Sequence, residues 1–135
     1  MKLDSFGVMV DVSRNNVMSM DGWRRFLPII AKMGYDTVFL YAEDTYEVEG
    51  EPYFGYMRGR YTAEELKELV ASGEVLGIGL IPCIQALAHF TAFMKSPEFR
   101  PMMDCDDILL IGDDRTYALL EAIFRQCAAC FKSRK

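Results

Sequence analysis

Apolar runs and amphipathic segments alternate three times along this chain. Residues 6–12, 37–42 and 78–84 are short, nearly continuous apolar runs. Runs of this kind are typical of strands that are buried on both faces of a parallel sheet. Segments with the apolar spacing of a helix follow the runs and can connect them. Strand and crossover helix in alternation predict an α/β fold with about three parallel βα units.

Capping residues mark the ends of the predicted helices. Ser19 can cap the first helix, which should end at Gly34, and Thr62 forms a capping box with Glu65 at the start of the second. A third helix is predicted over residues 114–131, after a long irregular stretch. The apolar positions expected to face the core are Trp23, Phe26, Leu27, Ile30 and Met33 in the first helix, Leu66, Leu69, Val70 and Leu76 in the second, and Tyr117, Leu120, Phe124 and Cys127 in the third.

Length and composition restrict the class of protein. A chain of 135 residues has the size of one domain, and 51% hydrophobic residues are enough for a core. The net charge of −5 argues against nucleic acid or an anionic membrane as the main partner. No apolar run is long enough to span a bilayer, and the first residues lack the pattern of a signal peptide. We therefore expect a cytoplasmic protein.

The four cysteines give a weak metal signal. Cys127 and Cys130 have the spacing of metal ligands, but they form a single pair and no histidine lies near them in the sequence. A structural zinc site usually needs four ligands. We therefore expect these cysteines to be small side chains on a helix, partly in the core, and we expect neither a metal nor a cofactor.

Polar side chains follow each of the three predicted strands. Asp11 and Arg14 come after the first, Glu43 and Asp44 after the second, and His89 after the third. Parallel α/β folds bind ligands at this end of the sheet. An arginine held by an acid can donate to vicinal hydroxyls or a carboxylate; the alternative is an ordinary surface arginine. Adjacent acids point to opposite sides, so one should face the site while the other holds the loop.

The single histidine has two interpretations. His89 follows the third strand as Glu43 follows the second, so a carboxylate–imidazole pair between them is plausible. Such a pair would raise the pKa of the histidine. The alternative is an ordinary, partly buried histidine with one hydrogen bond.

The connection over residues 40–62 is unusually rich in aromatic and acidic side chains. It holds five of the seven tyrosines of the chain. Its rings can form a small core within the loop, or they can offer faces on which a sugar stacks. The rings concerned are Tyr46, Tyr53, Phe54, Tyr56 and Tyr61. A second acidic run, residues 104–107, lacks the spacing of a calcium loop and is predicted to hold turn and capping residues.

Three segments in the same order resemble a known family. They are residues 11–15 (DVSRN), the whole of residues 41–62, and residues 80–89 (LIPCIQALAH). Together they resemble the catalytic (β/α)8 barrel of the family 20 glycoside hydrolases, the β-N-acetylhexosaminidases. The likeness is greatest to a bacterial branch, and it covers nearly the full chain.

The resemblance implies roles for single residues. Arg14 matches the arginine that binds the O3 and O4 hydroxyls of a terminal N-acetylhexosamine. Glu43 stands where most of the family has an aspartate. His89 matches the histidine that pairs with this acid beside the catalytic glutamic acid. The substrate-binding residues expected in this chain are therefore Arg14, Asp11, Glu43, Asp44 and His89, with Glu43 and His89 as a pair that supports catalysis.

The resemblance also implies a mechanism whose catalytic acids are missing here. In this family the acetamido oxygen of the sugar attacks its own anomeric carbon. An adjacent aspartate–glutamate pair, in an HxGxDE segment after strand four, orients the acetamido group and protonates the leaving oxygen. No such segment occurs among the 135 residues. We expect residues 1–135 to be the N-terminal part of a family 20 catalytic domain, truncated before strand four and inactive alone.

Three functions remain open from the sequence. The first is a fragment of an exo-β-N-acetylhexosaminidase that acts on terminal β-linked N-acetylhexosamine or glucosamine in glycans. The second is a non-catalytic sugar-binding or interaction module that retains the recognition residues. The third is a small α/β protein that forms a homo-oligomer by pairing open sheet edges. The expected partner is a glycan or an amino sugar in the first two cases.

Overall fold

Three parallel strands form the main sheet in the computed structural model, which describes residues 4–14 and 16–132. The strands are β1 (Gly7–Asp11), β2 (Thr37–Ala42) and β3 (Gly79–Ile84), in the order β1-β2-β3. Gly7 pairs with Thr37, and Thr37 pairs with Gly79, so the three strands begin in register. Both crossovers run through a helix. The predicted parallel α/β fold is confirmed.

Three helices connect or follow these strands, and the predicted caps of the first two are present. The helices are α1 (Met20–Lys32), α2 (Ala63–Val75) and α3 (Asp114–Cys130). The hydroxyl of Ser19 accepts a hydrogen bond from the amide of Gly22 at 3.2 Å. Thr62 and Glu65 form the reciprocal capping box. Because these side chains satisfy free amides at the helix starts, they fix where each loop from the sheet ends.

The helices cover one face of the sheet. On β2, the side chains of Val38, Leu40 and Ala42 are buried in one core with the apolar faces of the helices. Phe39 and Tyr41 alternate with them, point to the other face and are only half-buried. A parallel sheet with helices outside and large side chains on its inner face is the wall of a (β/α) barrel.

The predicted core face of α3 is wrong in part. Leu120 and Cys127 are buried as expected, but Tyr117 and Phe124 are 49% and 53% exposed. The other residues that α3 buries are Thr116, Leu119, Ile123 and Cys130. The helix carries apolar side chains on more than one face, so its spacing alone does not decide which face packs on α2. Met33 and Leu76, also predicted in the core, lie at the helix C-caps and are exposed.

Gly73 brings α2 close to the sheet. This glycine is buried within the helix, and a Cβ atom there would overlap the side chain of Leu80 on β3 and lie 2.8 Å from the carbonyl oxygen of Ile78. The close approach of helix and strand therefore depends on the missing side chain.

The stretch between β3 and α3 is ordered around aromatic rings. Phe93 lies 4.9 Å from Phe90 and 4.1 Å from Phe99 between ring centroids, and all three are buried. Two short 3-10 turns are followed by an antiparallel hairpin of β4 (Met103–Cys105) and β5 (Ile108–Leu109). Asp106 and Asp107 of the acidic run form the turn of this hairpin, as predicted, whereas Asp104 and Cys105 lie in β4.

Candidate functional site

An arginine and a buried glutamate meet at the carboxyl ends of β1 and β2. Nη2 of Arg14 lies 3.1 Å from Oε1 of Glu43, and Nη1 lies 3.5 Å from Oε2. The Glu43 side chain is 1% exposed, whereas that of Arg14 is 69% exposed. The buried carboxylate thus fixes the position of the guanidinium, and the exposed part of the Arg14 side chain can still donate hydrogen bonds to a ligand. The sequence predicted an arginine held by an acid, and the structure assigns that acid to the neighbouring strand.

The surroundings of Glu43 shift its pKa in opposing directions. Desolvation raises the pKa of Glu43 above its ordinary value, while the Arg14 guanidinium acts in the opposite direction and the Asp44 carboxylate adds to the rise. Oε1 of Glu43 is close to Arg14 but forms no hydrogen bond among the described residues. It is therefore a buried acceptor beside the exposed arginine.

Asp11 shapes the turn that carries Arg14. Its Oδ1 accepts hydrogen bonds from the amide and the hydroxyl of Ser13, at 2.8 and 2.7 Å. The side-chain bond from Ser13, with the backbone bond and the nearby Arg14 charge, lowers the pKa of Asp11. Asp11 thus stabilises the turn that precedes Arg14. Asn15, the last residue of the 11–15 segment, lies outside the described residues.

Asp44, the neighbour of Glu43, pairs with a different arginine. Nη1 of Arg58 lies 3.0 Å from Oδ1 of Asp44, and the two side chains are 14% and 2% exposed. Burial raises the pKa of Asp44, and Arg58 partly offsets the rise. Arg58 also donates to the carbonyl of Ser13. Sequence reasoning missed Arg58, whose only signal is a positive charge within the acidic, aromatic loop.

His89 contacts Asp107 and forms no direct hydrogen bond with Glu43, and the expectation that Glu43 and His89 act as a supporting pair stays a prediction. Nδ1 of His89 lies 3.4 Å from Oδ2 of Asp107, and the histidine side chain is 65% exposed. No hydrogen bond joins His89 to Glu43 in the part of the chain that the structure describes. The cause is the hairpin: the amide of Leu109 bonds to the carbonyl of Leu87 at 2.8 Å. This contact brings the hairpin turn, and Asp107 with it, against His89.

Some aromatic rings of the 40–62 connection form a core within the loop, and others are exposed at the surface. Tyr46, Phe54 and Tyr61 are buried and form a loop core. Tyr53 and Tyr56 are exposed, with ring centroids 5.8 Å apart in an edge-to-face arrangement. The exposed pair lines a surface cavity together with Asp44 and Phe93. Only these two of the five rings can offer a face to a ligand.

The cysteine pair belongs to the core. Cys127 and Cys130 are buried on α3, as predicted, and burial raises the pKa of Cys127 to about 11. Over residues 4–14 and 16–132, no group of three or more histidine, cysteine and acidic side chains is arranged to hold a metal ion. None of the helices described there is long and apolar enough to cross a membrane.

Solved structures of β-N-acetylhexosaminidases share the fold of this chain. A β-N-acetylhexosaminidase crystal structure matches 93% of the chain with a TM-score of 0.79 and 22% sequence identity. The Streptomyces plicatus N-acetyl-β-hexosaminidase in complex with Thio-NAglucal matches 95%, with a TM-score of 0.82 and 19% identity. A GH20 exo-β-N-acetylglucosaminidase from Vibrio harveyi in complex with N-acetylglucosamine matches 93%, with a TM-score of 0.81 and 18% identity. The chain has the fold of part of a family 20 hydrolase barrel.

The chain spans only about a quarter to a third of these proteins. It covers 33%, 30% and 25% of the three chains, in the order named. No sequence-family model and no curated protein sequence matches it. At this level of identity the likeness establishes the fold, and the predicted partial (β/α)8 barrel is confirmed.

Proposed function

We propose that this chain supplies the sugar-recognition side of a β-N-acetylhexosaminidase site. In this proposal residues 1–135 are the N-terminal part of a family 20 catalytic domain, and the ligand is a terminal β-linked N-acetylhexosamine or glucosamine of a glycan. The observation that carries the proposal is the Arg14–Glu43 pair, 3.1 Å apart at the carboxyl end of the sheet. The shared fold with hexosaminidases supports the choice of sugar as ligand.

The chemistry of the pair fits vicinal hydroxyls. A guanidinium presents several N–H donors in one plane, so it can donate to two neighbouring sugar oxygens at once. Buried Glu43 fixes the position of Arg14 and keeps its charge beside the site. We propose that Asp11 and Asp44 stabilise the two segments that carry Arg14 and Glu43. Sugar contact by His89 stays a prediction.

This chain binds and orients the sugar but supplies no proton to the leaving oxygen. Its sequence contains no aspartate followed directly by a glutamate, the pair that the family uses. Bond cleavage by substrate assistance therefore requires residues outside these 135. The coding sequence beyond residue 135 is a direct test: an in-frame HxGxDE segment supports the enzyme fragment, and a stop codon contradicts it.

Binding of the free sugar is the second test. We expect N-acetylglucosamine to shift the NMR amide signals of the loops that carry Arg14 and Glu43 in the isotopically labelled chain. The signals of α3, on the outer face, should stay in place. If no signal near Arg14 moves at any accessible sugar concentration, recognition by this site is refuted.

A non-catalytic carbohydrate-binding module is the second candidate. The observation that favours it is the exposed pair of Tyr53 and Tyr56, because exposed rings are the faces on which sugars stack. The same titration separates the two, since a binding module should hold the sugar tightly without further chain segments and should shift the ring signals of both tyrosines.

A further inference from the structure

Arg58 joins the two chain segments that carry the sugar-recognition pair. Nη1 of Arg58 lies 3.0 Å from Oδ1 of Asp44, and Nη2 donates to the carbonyl of Ser13. Ser13 directly precedes Arg14, and Asp44 directly follows Glu43. A single guanidinium, mostly buried, thus binds the neighbour of each member of the pair.

The contacts of Arg58 begin where the backbone ladder ends. The last strand pair between β1 and β2 is Asp11 with Tyr41, followed by one bond from the amide of Val12 to the carbonyl of Tyr41 at 3.0 Å. Beyond Val12, no backbone hydrogen bond joins the two segments in the described part of the chain. Beyond this point the side chain of Arg58 connects the two segments, through its contacts with Asp44 and Ser13.

The loop is shaped to deliver this side chain. Gly55 has a φ of 66°, and a Cβ atom there would overlap the carbonyl oxygen of Asp44. Met57, the residue before Arg58, has a φ of 62°, which is uncommon for a residue with a side chain. Backbone strain of this kind persists where the surrounding structure requires it, and it gathers at functional sites.

We propose that Arg58 is a positioning residue that sets the distance between Arg14 and Glu43 and so pre-organises the sugar site. The inference rests on the proposed function for its consequence, sugar affinity, but not for its geometry. A guanidinium suits this role because it holds a carboxylate and a carbonyl in one fixed plane, whereas an ammonium group is a point charge on a flexible stem.

The test compares Arg58→Lys with Arg60→Lys in the full chain. Arg60 lies in the same loop, but its contacts are within or near that loop: the carbonyls of Pro52 and Phe54, and Glu47. We expect Arg58→Lys to weaken N-acetylglucosamine binding about tenfold or more and to broaden the Nε–H signal of Arg14 in NMR spectra. Arg60→Lys should change both by less than about twofold. These magnitudes correspond to the loss of one charge-assisted contact.

A double variant separates positioning from a direct role. If Arg58 acts through Arg14, Arg58→Lys should cost little affinity when Arg14→Lys is already present, because the coupled effects do not add. Additive losses, or equal effects of the two loop variants, would overturn the proposal.

If the unmodified chain binds no N-acetylglucosamine, the proposed function fails, and the Arg14 Nε–H signal still decides the role of Arg58. Should Arg58→Lys not fold, Asp44→Asn, which removes one partner at constant volume, must give the same Arg14 signal change.

Discussion

At the residue scale, two adjacent acids at the end of β2 have separate tasks. Glu43 faces Arg14 across the strand end, and Asp44 turns to Arg58 on the other side. Both acids lie in the bend that follows β2, and each contacts an arginine from a different segment. Each of the two carboxylates pairs with a different arginine.

Arg14→Lys should lower the affinity for N-acetylglucosamine about tenfold with little change in melting temperature. A lysine keeps the charge but cannot donate to two neighbouring hydroxyls in one plane. Because the Arg14 side chain is largely exposed, its packing contributes little to folding. NMR titration and thermal melting of the same purified variant check this. Arg24→Lys, in the exposed pair with Glu68 on the helical side, is the matched control. Near-normal affinity in Arg14→Lys would make Arg14 an ordinary surface arginine.

Glu43→Gln should flatten the pH dependence of stability. Burial raises the pKa of Glu43 in the folded chain, so between the unfolded and folded pKa values the folded chain keeps a proton that the unfolded chain has lost. The free energy of unfolding therefore falls as pH rises through that window, from roughly pH 4 upward. Glutamine has no proton to lose, and the fall should be smaller in the variant.

Urea unfolding at several pH values measures the effect of Glu43→Gln. Glu121→Gln, on the exposed side of α3, is the control and should follow the unmodified chain. Parallel curves for Glu43→Gln and the unmodified chain would contradict the assigned sign.

At the element scale, the β2–α2 loop is tied to α1 by one phenol. Nε1 of Trp23 donates to the hydroxyl of Tyr61 at 2.8 Å, and this hydroxyl donates to the carbonyl of Met18 at 2.6 Å. Trp23 and Tyr61 are both buried. The loop that carries Arg58 thus ends at a fixed point beside the start of α1, which helps to hold its shape.

Tyr61→Phe should destabilise the chain by about 1–3 kcal/mol or more. The ring would stay in place, but a buried indole N–H and a backbone carbonyl would lose their shared partner, and each unsatisfied group has a cost of this order. Equilibrium unfolding in urea measures the change. Tyr53→Phe removes the same hydroxyl from an exposed ring of the same loop and should be neutral. Equal stability of the two variants would mean that the bonds at Tyr61 do not contribute.

At the scale of the whole molecule, one face of the sheet is covered by helices and the other is not. β1 and β3 are the outer strands of the described three-stranded sheet, and the inner-face side chains Met9, Phe39 and Tyr41 are exposed or half-buried. In a closed barrel such residues fill the interior. Pairing of two copies through the strand edges stays a prediction.

The 135-residue chain by itself should not hydrolyse an aryl β-N-acetylglucosaminide above the buffer rate. Leaving-group protonation by a positioned acid contributes roughly 10²–10⁴-fold, and no aspartate is followed directly by a glutamate in this sequence to supply it. A chromogenic assay on purified protein measures the rate, with a mock purification as control. Turnover above that of the mock preparation would contradict the prediction and would show that these 135 residues contain a catalytic acid.

The sequence did not predict the β4–β5 hairpin, which lies in the stretch expected to be irregular. It did predict the order of the three parallel strands and three helices, the caps at Ser19 and Thr62, and the place of polar residues at the strand ends. These features depend on short-range rules: apolar spacing, capping chemistry and the length of a buried run. The resemblance carried by residues 41–62 pointed to the barrel. A local pattern sufficed because neighbouring residues in the chain decide each of these features.

Which side chains meet depends on how separate elements of the fold pack. Arg14 and Glu43 are 29 positions apart, and Arg58 and Ser13 are 45 apart, so no local spacing relates them. His89 binds Asp107 because a distant hairpin packs beside it. In each case the strength of a charge or hydrogen bond depends on distances of a few ångströms, and those distances are fixed by the packing of separate elements.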